Sequence, residues 1–370
     1  MDSITGHGAA RSAGALILLV VLGALLDVGA RGEDPAANVR DGDRSLQRLG
    51  PALLDAEGRF ENRIPGLPRA GPSVTLPFFW RRVTSRFRTP DNLPLEIDTD
   101  VGALHDNARI MRPTVTWVGH STLLVQMAGA TFLTDPIWSQ AAGPGGRIGA
   151  RRWLDAALPI QQLPRIDFVL ISHNHYDHLD LPSLREIAEH SPHAVFFVPL
   201  ENGELLRDEG IERVVELDWG DRRSLGAVTV HCLPAQHWSQ RGIGDQRRAL
   251  WASWAVTSFE RRFYFGGDTG LFDGFRTIGD AFGPFDLAAV PVGAYEPHAM
   301  MAFSHMDPEQ AVDAALDVGA RRMLAIHHGT FDLADEPPGE PPQRFREAAH
   351  NAGLTEEEAW TLAIGETRGF

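Results

Sequence analysis

The chain of 370 residues contains no lysine and a single cysteine, and these two shortages exclude several kinds of chemistry. All 34 basic residues are arginines. Schiff-base catalysis, a phosphate-binding P-loop and a serine–lysine nucleophile pair each need a lysine amine, so none of them is open to this protein. Cys232 alone cannot form an internal disulfide, a thiolate zinc finger or an iron–sulfur cluster. Any metal site must therefore be built from histidine, aspartate and glutamate.

Charge and composition narrow the class of protein further. The formal net charge of −15 argues against a nucleic-acid partner, because affinity for phosphate backbones comes mainly from positive charge. A hydrophobic content of 43% is that of a globular protein, and the length suits one large domain or two smaller ones. The sequence leaves a homodimer open.

Residues 1–30 are predicted to be a signal peptide or a membrane anchor. An apolar run over residues 13–26 is preceded by Arg11 and followed by the small residues Gly29 and Ala30. The run is shorter than the roughly 20 apolar residues that span a bilayer, which favours a cleaved signal over a permanent anchor. We therefore expect an exported, periplasmic or membrane-associated protein, or a cytoplasmic one if the true start codon lies after this segment.

The rest of the chain divides at about residue 107. Residues 31–107 are rich in proline, glycine, arginine and aspartate, which predicts a linker followed by an irregular extension. Residues 108–370 alternate short apolar runs with helical spacing, which predicts a layered α/β domain. Helices are expected over 181–190, 308–318 and 344–363. Strands are expected over 114–118, 122–127, 131–133, 168–172, 194–198, 228–231, 263–265 and 287–292.

The strongest functional signal directly follows the apolar run 168–172. Because the end of a strand fixes the base of the loop, polar side chains on that loop can converge on a small volume. A loop that only caps a strand would need one polar side chain of this kind. Capping therefore does not explain four potential metal ligands in the same loop. The four candidate ligands, all within six positions, are His173, His175, Asp177 and His178.

Six positions cannot complete a metal site, so further ligands are expected at the ends of later strands. His237, Asp268 and His327 each follow an apolar run. The two glycines before Asp268 let the backbone approach a ligand closely, and its carboxylate is placed to bridge two ions. Five histidines and two aspartates suit zinc, with iron or manganese as alternatives. Seven ligands are too many for one tetrahedral ion, which indicates two metals.

These segments resemble the binuclear metallo-β-lactamase-fold hydrolases, and more narrowly their N-acylphosphatidylethanolamine-hydrolysing phospholipase D branch. The resemblance covers roughly residues 60–331 and implies a four-layered αββα sandwich. The segments that carry it, besides the HxHxDH signature at 173–178, are Gly119-His-Ser-Thr122, Leu133-Thr-Asp-Pro-Ile-Trp138, Pro234-Ala-Gln-His-Trp238, Pro291-Val-Gly-Ala-Tyr-Glu-Pro297, His305-Met-Asp-Pro-Glu309 and Ile326-His-His-Gly-Thr-Phe331.

The resemblance also implies a role for each site residue. Asp268 would bridge the ions and take part in catalysis with His305, and substrate contacts would come from Tyr176 and His305. His328, next to His327, is the alternative ligand. The implied ligands are His173, His175 and His237 for one zinc ion and Asp177, His178 and His327 for the other.

The function expected from this site is hydrolysis by a hydroxide held between two metal ions, with no serine or cysteine nucleophile. The favoured reaction is cleavage of phospholipids such as N-acylphosphatidylethanolamine by a phosphodiesterase of phospholipase D type. One alternative is a lactonase or a hydrolase of sugar phosphates or other esters on the same scaffold. Another is a membrane-anchored metal-binding protein without catalysis.

An aromatic and basic segment, residues 76–88, stands out in this acidic chain. It interleaves four aromatic residues with four arginines, which suits a phospholipid surface where rings lie at the headgroups and arginine meets phosphate. Alternatively, the aromatic rings pack on the sandwich and the arginines are solvated. The residues expected to touch the membrane are Phe78, Phe79, Trp80, Arg81 and Arg82.

Overall fold

The computed structural model of the protein describes residues 49–64, 70–84 and 87–370. The predicted signal peptide or anchor and the linker up to residue 48 lie outside the described residues. Within the described ranges, no helix is both long enough and apolar enough to cross a bilayer.

Two seven-stranded sheets form the centre of the molecule. Their strand orders are β10-β9-β8-β5-β4-β3-β18 and β11-β12-β13-β14-β15-β16-β17, and β1–β2 and β6–β7 form two small ribbons. In chain order the strands are β1 (Leu53–Leu54), β2 (Phe60–Glu61), β3 (Thr114–Gly119), β4 (Thr122–Met127), β5 (Ala130–Thr134), β6 (Ala141–Ala142), β7 (Ala150–Arg151), β8 (Phe168–Leu170), β9 (Val195–Pro199), β10 (Val214–Leu217), β11 (Arg222–Leu225), β12 (Val228–Leu233), β13 (Ser253–Thr257), β14 (Arg262–Phe265), β15 (Leu287–Pro291), β16 (Met323–Ile326), β17 (Ala359–Trp360) and β18 (Thr367–Gly369).

Helices cover the outer face of each sheet. In chain order they are α1 (Pro72–Thr84), α2 (Val101–Ile110), α3 (Leu181–His190), α4 (Gly203–Asp208), α5 (Gly274–Phe282), α6 (His298–Met301), α7 (Pro308–Asp317) and α8 (Glu340–Asn351). Short 3₁₀ turns lie at Pro144–Gly146 and Ile160–Gln162.

Three apolar cores hold the layers together. The central core lies between the sheets and includes Trp117 and Phe168 from one sheet and Trp254 from the other. Leu184 of α3 contributes to a second core on the outside of the first sheet, and Phe275 of α5 to a third on the outside of the second. Strands buried on both faces explain the continuous apolar runs of the sequence. The order helix, sheet, sheet, helix confirms the predicted αββα sandwich.

Parallel pairing brings the functional loops to one edge of the sandwich. Strands β5, β8 and β9 are parallel in the first sheet, and β14, β15 and β16 are parallel in the second. Carboxyl ends of parallel strands lie at the same edge, which is where α/β proteins bind ligands. The loops after β5, β8, β14 and β16 therefore open toward one another.

Most predicted elements are confirmed, and the differences have local causes. The predicted helix over 344–363 is wrong in its second half: α8 ends at Asn351, and Gly353 follows with a φ of +83°. The apolar residues beyond it form β17, which extends the second sheet. Two helices, α1 and α2, lie largely in the predicted extension, where the sequence shows no sustained hydrophobic periodicity. The Asp100 carboxylate caps α2 by accepting a hydrogen bond from the Ala103 backbone N–H at 2.9 Å.

Candidate metal centre

The loop after β8 carries His173, His175, Asp177 and His178 into the edge between the two sheets. His237 follows β12, Asp268 follows β14 and His327 follows β16, all in the second sheet. The structure thus brings all seven predicted ligands together. With His120 and His305 they form four overlapping groups whose polar atoms lie within 4.8 Å of one another, a spacing that can hold a metal ion.

Three imidazole nitrogens face one point in the first group. His173 Nε2 lies 2.8 Å from His175 Nδ1, and His237 Nε2 lies 3.2 Å from the same His175 atom. A neutral imidazole carries only one ring proton, so three converging nitrogens cannot all be satisfied by hydrogen bonds among themselves. A cation that accepts their lone pairs satisfies all three.

The second group surrounds Asp177 and Asp268. The Oδ2 atom of Asp177 lies 3.2 Å from His178 Nε2 and 3.4 Å from His327 Nε2. Asp268 faces both groups, since its Oδ2 is 3.1 Å from His178 Nε2 and 3.8 Å from His237 Nε2. The Asp268 carboxylate therefore stands where a ligand shared by two ions would stand.

Hydrogen bonds behind the ligands fix the orientation of their rings. His237 Nδ1 donates to the Ser304 carbonyl at 2.9 Å, and His178 Nδ1 lies 2.6 Å from Asp135 Oδ2. Ser172 connects His173 to the same carboxylate, with its Oγ 2.9 Å from His173 Nδ1 and 2.5 Å from Asp135 Oδ2. Each bond leaves the opposite ring nitrogen of the ligand free to face the centre.

The electrostatics of the cluster also suit a cation. Burial lowers the pKa of His173 and His237 well below their ordinary value, and burial lowers the pKa of His175 to about 4. Burial has the same effect on His178, but neighbouring carboxylates, Asp268 foremost, outweigh it and raise its pKa. The three histidines of the first group are thus neutral, which is the form that binds metal.

His327 and His328 differ in what their rings contact. His327 Nε2 lies 3.1 Å from Asp268 Oδ1, whereas the His328 ring packs on Trp117 with centroids 4.8 Å apart. The backbone of His327 is left-handed, with a φ of +61°. This turn points the two neighbouring side chains to different regions, and His327 alone of the pair joins the cluster.

The predicted substrate residues lie at the rim. His305 Nδ1 is 3.9 Å from Asp268 Oδ2. The Tyr176 hydroxyl donates to the Arg241 carbonyl at 3.0 Å, and the Arg241 guanidinium covers the Tyr176 ring at 4.0 Å. His305 therefore adjoins the metal groups directly, while the hydroxyl of Tyr176 is already engaged.

Sequence reasoning gave no role to three residues that support the centre, Asp135, Arg241 and Asn62, and His120 of the Gly119–Thr122 motif supports it as well. Asp135 follows β5, and the signal that found the ligands, an acid after an apolar strand, applies to it equally. His120 Nε2 lies 3.0 Å from Asp177 Oδ2. Arg241 donates to the carbonyls of Asn174 and Leu179, and Asn62 bonds the His237 backbone. No sequence pattern marks Arg241 or Asn62, because they act through backbone groups distant in the chain.

Replacing Asp135 with asparagine is expected to weaken metal binding by about 10–100-fold, because His178 loses the carboxylate that orients its ring. Metal affinity can be measured by competition with a coloured chelator. Asp167→Asn is a matched control, since that carboxylate accepts the Thr131 N–H at the amino end of β8. Equal affinity in the Asp135 variant and the wild type would disprove this role.

Fold and cluster together define a metal-binding αββα hydrolase, and comparisons with known proteins agree. Residues 130–328 match the family described as Beta-lactamase superfamily domain. An uncharacterized protein of Mycobacterium tuberculosis is 36% identical over 327 residues, 87% of this chain and 82% of that protein. The chain therefore belongs to the β-lactamase superfamily, and it is a metal-dependent hydrolase.

Two further comparisons concern the phospholipase D branch of the superfamily and the fold. N-acyl-phosphatidylethanolamine-hydrolyzing phospholipase D 1 of Caenorhabditis elegans is 42% identical over 228 residues, which cover 59% of this chain and 64% of the worm protein. A solved structure of a possible metal-dependent hydrolase from Veillonella parvula matches with a TM-score of 0.56 at 17% identity, over 70% of this chain and all of that one. The resemblance to the phospholipase D branch is thus confirmed, and the solved structure confirms the fold.

Proposed function

We propose that the protein is a two-metal phosphodiesterase that cleaves N-acylated phospholipids in the manner of phospholipase D, releasing phosphatidate and an N-acylethanolamine. The observation that carries the proposal is the Asp268 carboxylate, which lies within 4 Å of histidines from both ligand groups. Support for the substrate comes from the activity that the worm relative's name states, since the chain is 42% identical to it over 228 residues.

Zinc is the ion that this set of nitrogen and oxygen ligands suits best, with iron and manganese as alternatives. Two such ions would supply Lewis acidity and a shared water whose pKa is lowered toward neutrality. The first would be held by His173, His175 and His237, the second by Asp177, His178 and His327, and Asp268 would contact both.

His305 is the residue proposed to contact the phosphodiester of the substrate. Its ring lies 5.2 Å from that of His237, and its Nδ1 is buried without a protein hydrogen-bond partner. Burial lowers the pKa of His305 to about 4, so its ring is neutral near pH 7 and can donate a hydrogen bond to a phosphate oxygen or to the departing alkoxide. Because no other imidazole outside the proposed ligand set lies as close to the Asp268 carboxylate in the described ranges, His305 is the proposed catalytic residue that contacts the substrate.

Apolar side chains around the opening suit a lipid. The Trp238 ring lies 4.5 Å from that of His175, and Leu271, three residues after Asp268, is partly exposed. Ile243, on the loop that also carries Arg241, is 70% exposed. An apolar rim around a charged centre matches an amphiphilic substrate whose phosphate enters and whose acyl chains stay outside.

The test is the product set of the purified, zinc-loaded protein. Mixed micelles of N-acylated phosphatidylethanolamine are expected to yield phosphatidate and N-acylethanolamine in equal amounts. Lactones, sugar phosphates and simple esters should be poor substrates in the same assay. Turnover of a lactone with the phospholipid left intact would replace this proposal with the lactonase alternative, and no turnover of any substrate would favour a metal-binding protein.

We also propose that the protein works at a phospholipid surface, through a smaller area than the sequence indicated. Phe78 and Phe79 are buried, so they contact protein rather than membrane. Arg81 pairs with Asp335 and Arg82 with Asp332, so neither is a free cation for lipid phosphate. Among the side chains of α1 that the structure describes, the large exposed apolar ones are Leu76 and Trp80, which are 58% and 70% exposed and lie one helical turn apart. Helix α1 packs on α6, four residues before His305, so this surface adjoins the proposed centre.

Replacing both Leu76 and Trp80 with serine is expected to weaken vesicle binding by about 10-fold or more, because each buried side chain contributes about 1.5–3 kcal/mol. Co-sedimentation with phosphatidylcholine and phosphatidylethanolamine vesicles measures the change. Phe259→Ser is the matched control, since Phe259 is fully exposed on the β13–β14 turn at the opposite edge of the sandwich. Unchanged binding of the double variant, or an equal loss in the control, would refute the surface.

A further inference from the structure

A small cavity adjoins the ring of His327, whose Nε2 faces the carboxylates of Asp177 and Asp268. Residues on its wall include His120, Trp153, Ala294, His328 and Glu336. The cavity has room for a water molecule, which needs about 10–15 Å³.

Several buried nitrogens on the wall lack protein hydrogen-bond partners in the described ranges, among them both ring nitrogens of His328. Trp153 Nε1 and His327 Nδ1 are both shielded from solvent and make no hydrogen bond within the described ranges. The indole nitrogen is always a donor. His327 Nδ1 is a donor in either state of that ring, because Nε2 faces Asp268 and Asp177 whether it binds a metal or a proton. An unsatisfied buried donor costs about 1–3 kcal/mol, so a shared acceptor is strongly favoured.

Glu336 supplies acceptors on the same wall. Its Oε1 accepts the Ala294 N–H at 2.6 Å and its Oε2 accepts the Glu296 N–H at 3.1 Å. A carboxylate oxygen accepts more than one hydrogen bond, so Glu336 can also receive a proton from within the cavity. A water molecule has two acceptor positions and two protons, so it can accept from both Trp153 Nε1 and His327 Nδ1 and still donate to Glu336.

Three residues on the cavity wall have a left-handed backbone conformation that the fold holds in place. His120, Ala294 and His327 have φ angles of +53°, +64° and +61°, a left-handed conformation that costs energy in residues other than glycine. His327 N donates to the His120 carbonyl at 3.1 Å, which ties two of these strained residues together. Such residues persist only where the surrounding structure fixes them, so the fold holds this part of the cavity wall in a defined conformation.

We infer that this cavity binds one ordered water, which accepts hydrogen bonds from His327 Nδ1 and Trp153 Nε1 and donates one to Glu336. Three other outer nitrogens behind the centre meet protein atoms directly: Ser172 at His173, Asp135 at His178 and Ser304 at His237. In the described ranges His175 Nε2, like His327 Nδ1, has no protein partner. His327 reaches its carboxylate through water. Glu336 is thus a positioning residue that orients His327, and the inference rests on the proposed metal centre but not on the proposed substrate.

The experiment combines a crystal structure of the metal-loaded protein with metal affinities of three variants. Density for a water within hydrogen-bonding distance of Trp153 Nε1, His327 Nδ1 and a Glu336 oxygen is expected. Trp153→Phe and Glu336→Gln should each lower the affinity for the more weakly held metal about 10-fold. The double variant should lose no more affinity than the more affected single variant, because both changes remove the same water-mediated contact. Trp360→Phe is the control, because Trp360 Nε1 donates to the Glu357 carbonyl far from the centre.

Other results would overturn the inference. A dry cavity, or a different group in it, contradicts the water directly. Losses of affinity that add in the double variant mean that Trp153 and Glu336 act separately. If Glu336→Gln lowers only the melting temperature while Trp153→Phe changes nothing, Glu336 serves the Ala294–Glu296 turn alone. Because the readouts are density and metal affinity, they stand even if the lipid proves not to be the substrate.

Discussion

Replacing Asp268 with alanine is expected to lower turnover by about 10³-fold or more and to weaken the binding of both metal ions. The reason is its position, since its Oδ2 lies 3.8 Å from His237 Nε2 of the first group and 3.1 Å from His178 Nε2 of the second. A loss of about 4 kcal/mol of transition-state stabilisation, a modest share of what a two-metal site supplies, corresponds to about 10³-fold in rate. No other ligand in the proposed set faces both groups in this way.

The measurement pairs turnover of the N-acylated phospholipid with metal content after dialysis. Asp280→Ala is the control, because Asp280 is exposed on α5 and stands apart from the metal groups. The variant is expected to fold, since Asp268 lies in a loop and takes no part in any of the three apolar cores. Wild-type metal content together with wild-type turnover in Asp268→Ala would end the two-metal proposal.

The adjacent histidines give the second large effect. His327→Ala is expected to remove one metal equivalent and to lower turnover by about 10²–10³-fold, because a catalytic ion that loses one ligand is both weakly held and wrongly placed. His328→Phe should keep the metal content and most of the turnover, since it retains a ring against Trp117. Metal analysis and kinetics on the two variants separate the roles.

This pair also distinguishes a metal ligand from a packing residue. If His328→Phe lost the metal and His327→Ala kept it, the assignment of the ligand would be reversed. Loss of metal in both variants together with a large fall in melting temperature would show that the turn, rather than one imidazole, is what matters. A Trp117→Phe variant controls for packing, because it perturbs the partner of His328 without touching either histidine.

The residues of the candidate metal cluster could be predicted from the sequence because their signal is local. A histidine or aspartate directly after an apolar run is aimed by that strand alone, whatever the rest of the chain does. His173, His237 and Asp268 were found in this way, and the β-strands before them are confirmed at nearly the predicted bounds. The αββα architecture followed from the resemblance of these motifs to a family whose fold the structure confirms.

The surface of α1 and the end of the chain could not be predicted in the same way. The aromatic side chains of residues 76–88 allowed either a membrane contact or packing on protein, and only the structure shows that Phe78 and Phe79 are buried while Trp80 is exposed. Residues 352–363, predicted as helix, instead form turns and the two-residue strand β17, because β16 offers a free edge with which Ala359 and Trp360 pair. Both outcomes depend on partners that are distant in sequence.

What the sequence determined by itself is the chemistry that this protein can use. With no lysine and one buried cysteine, Cys232, the centre had to be made of histidine and aspartate, and the chain places seven of them at strand ends. Only the tertiary structure decided which groups hold these ligands in place: Asp135 behind His178, and Glu336 behind His327 across a small cavity. The physical reason is that a ligand is aimed by its own strand, whereas its supporting hydrogen bond comes from whichever element the fold packs against it.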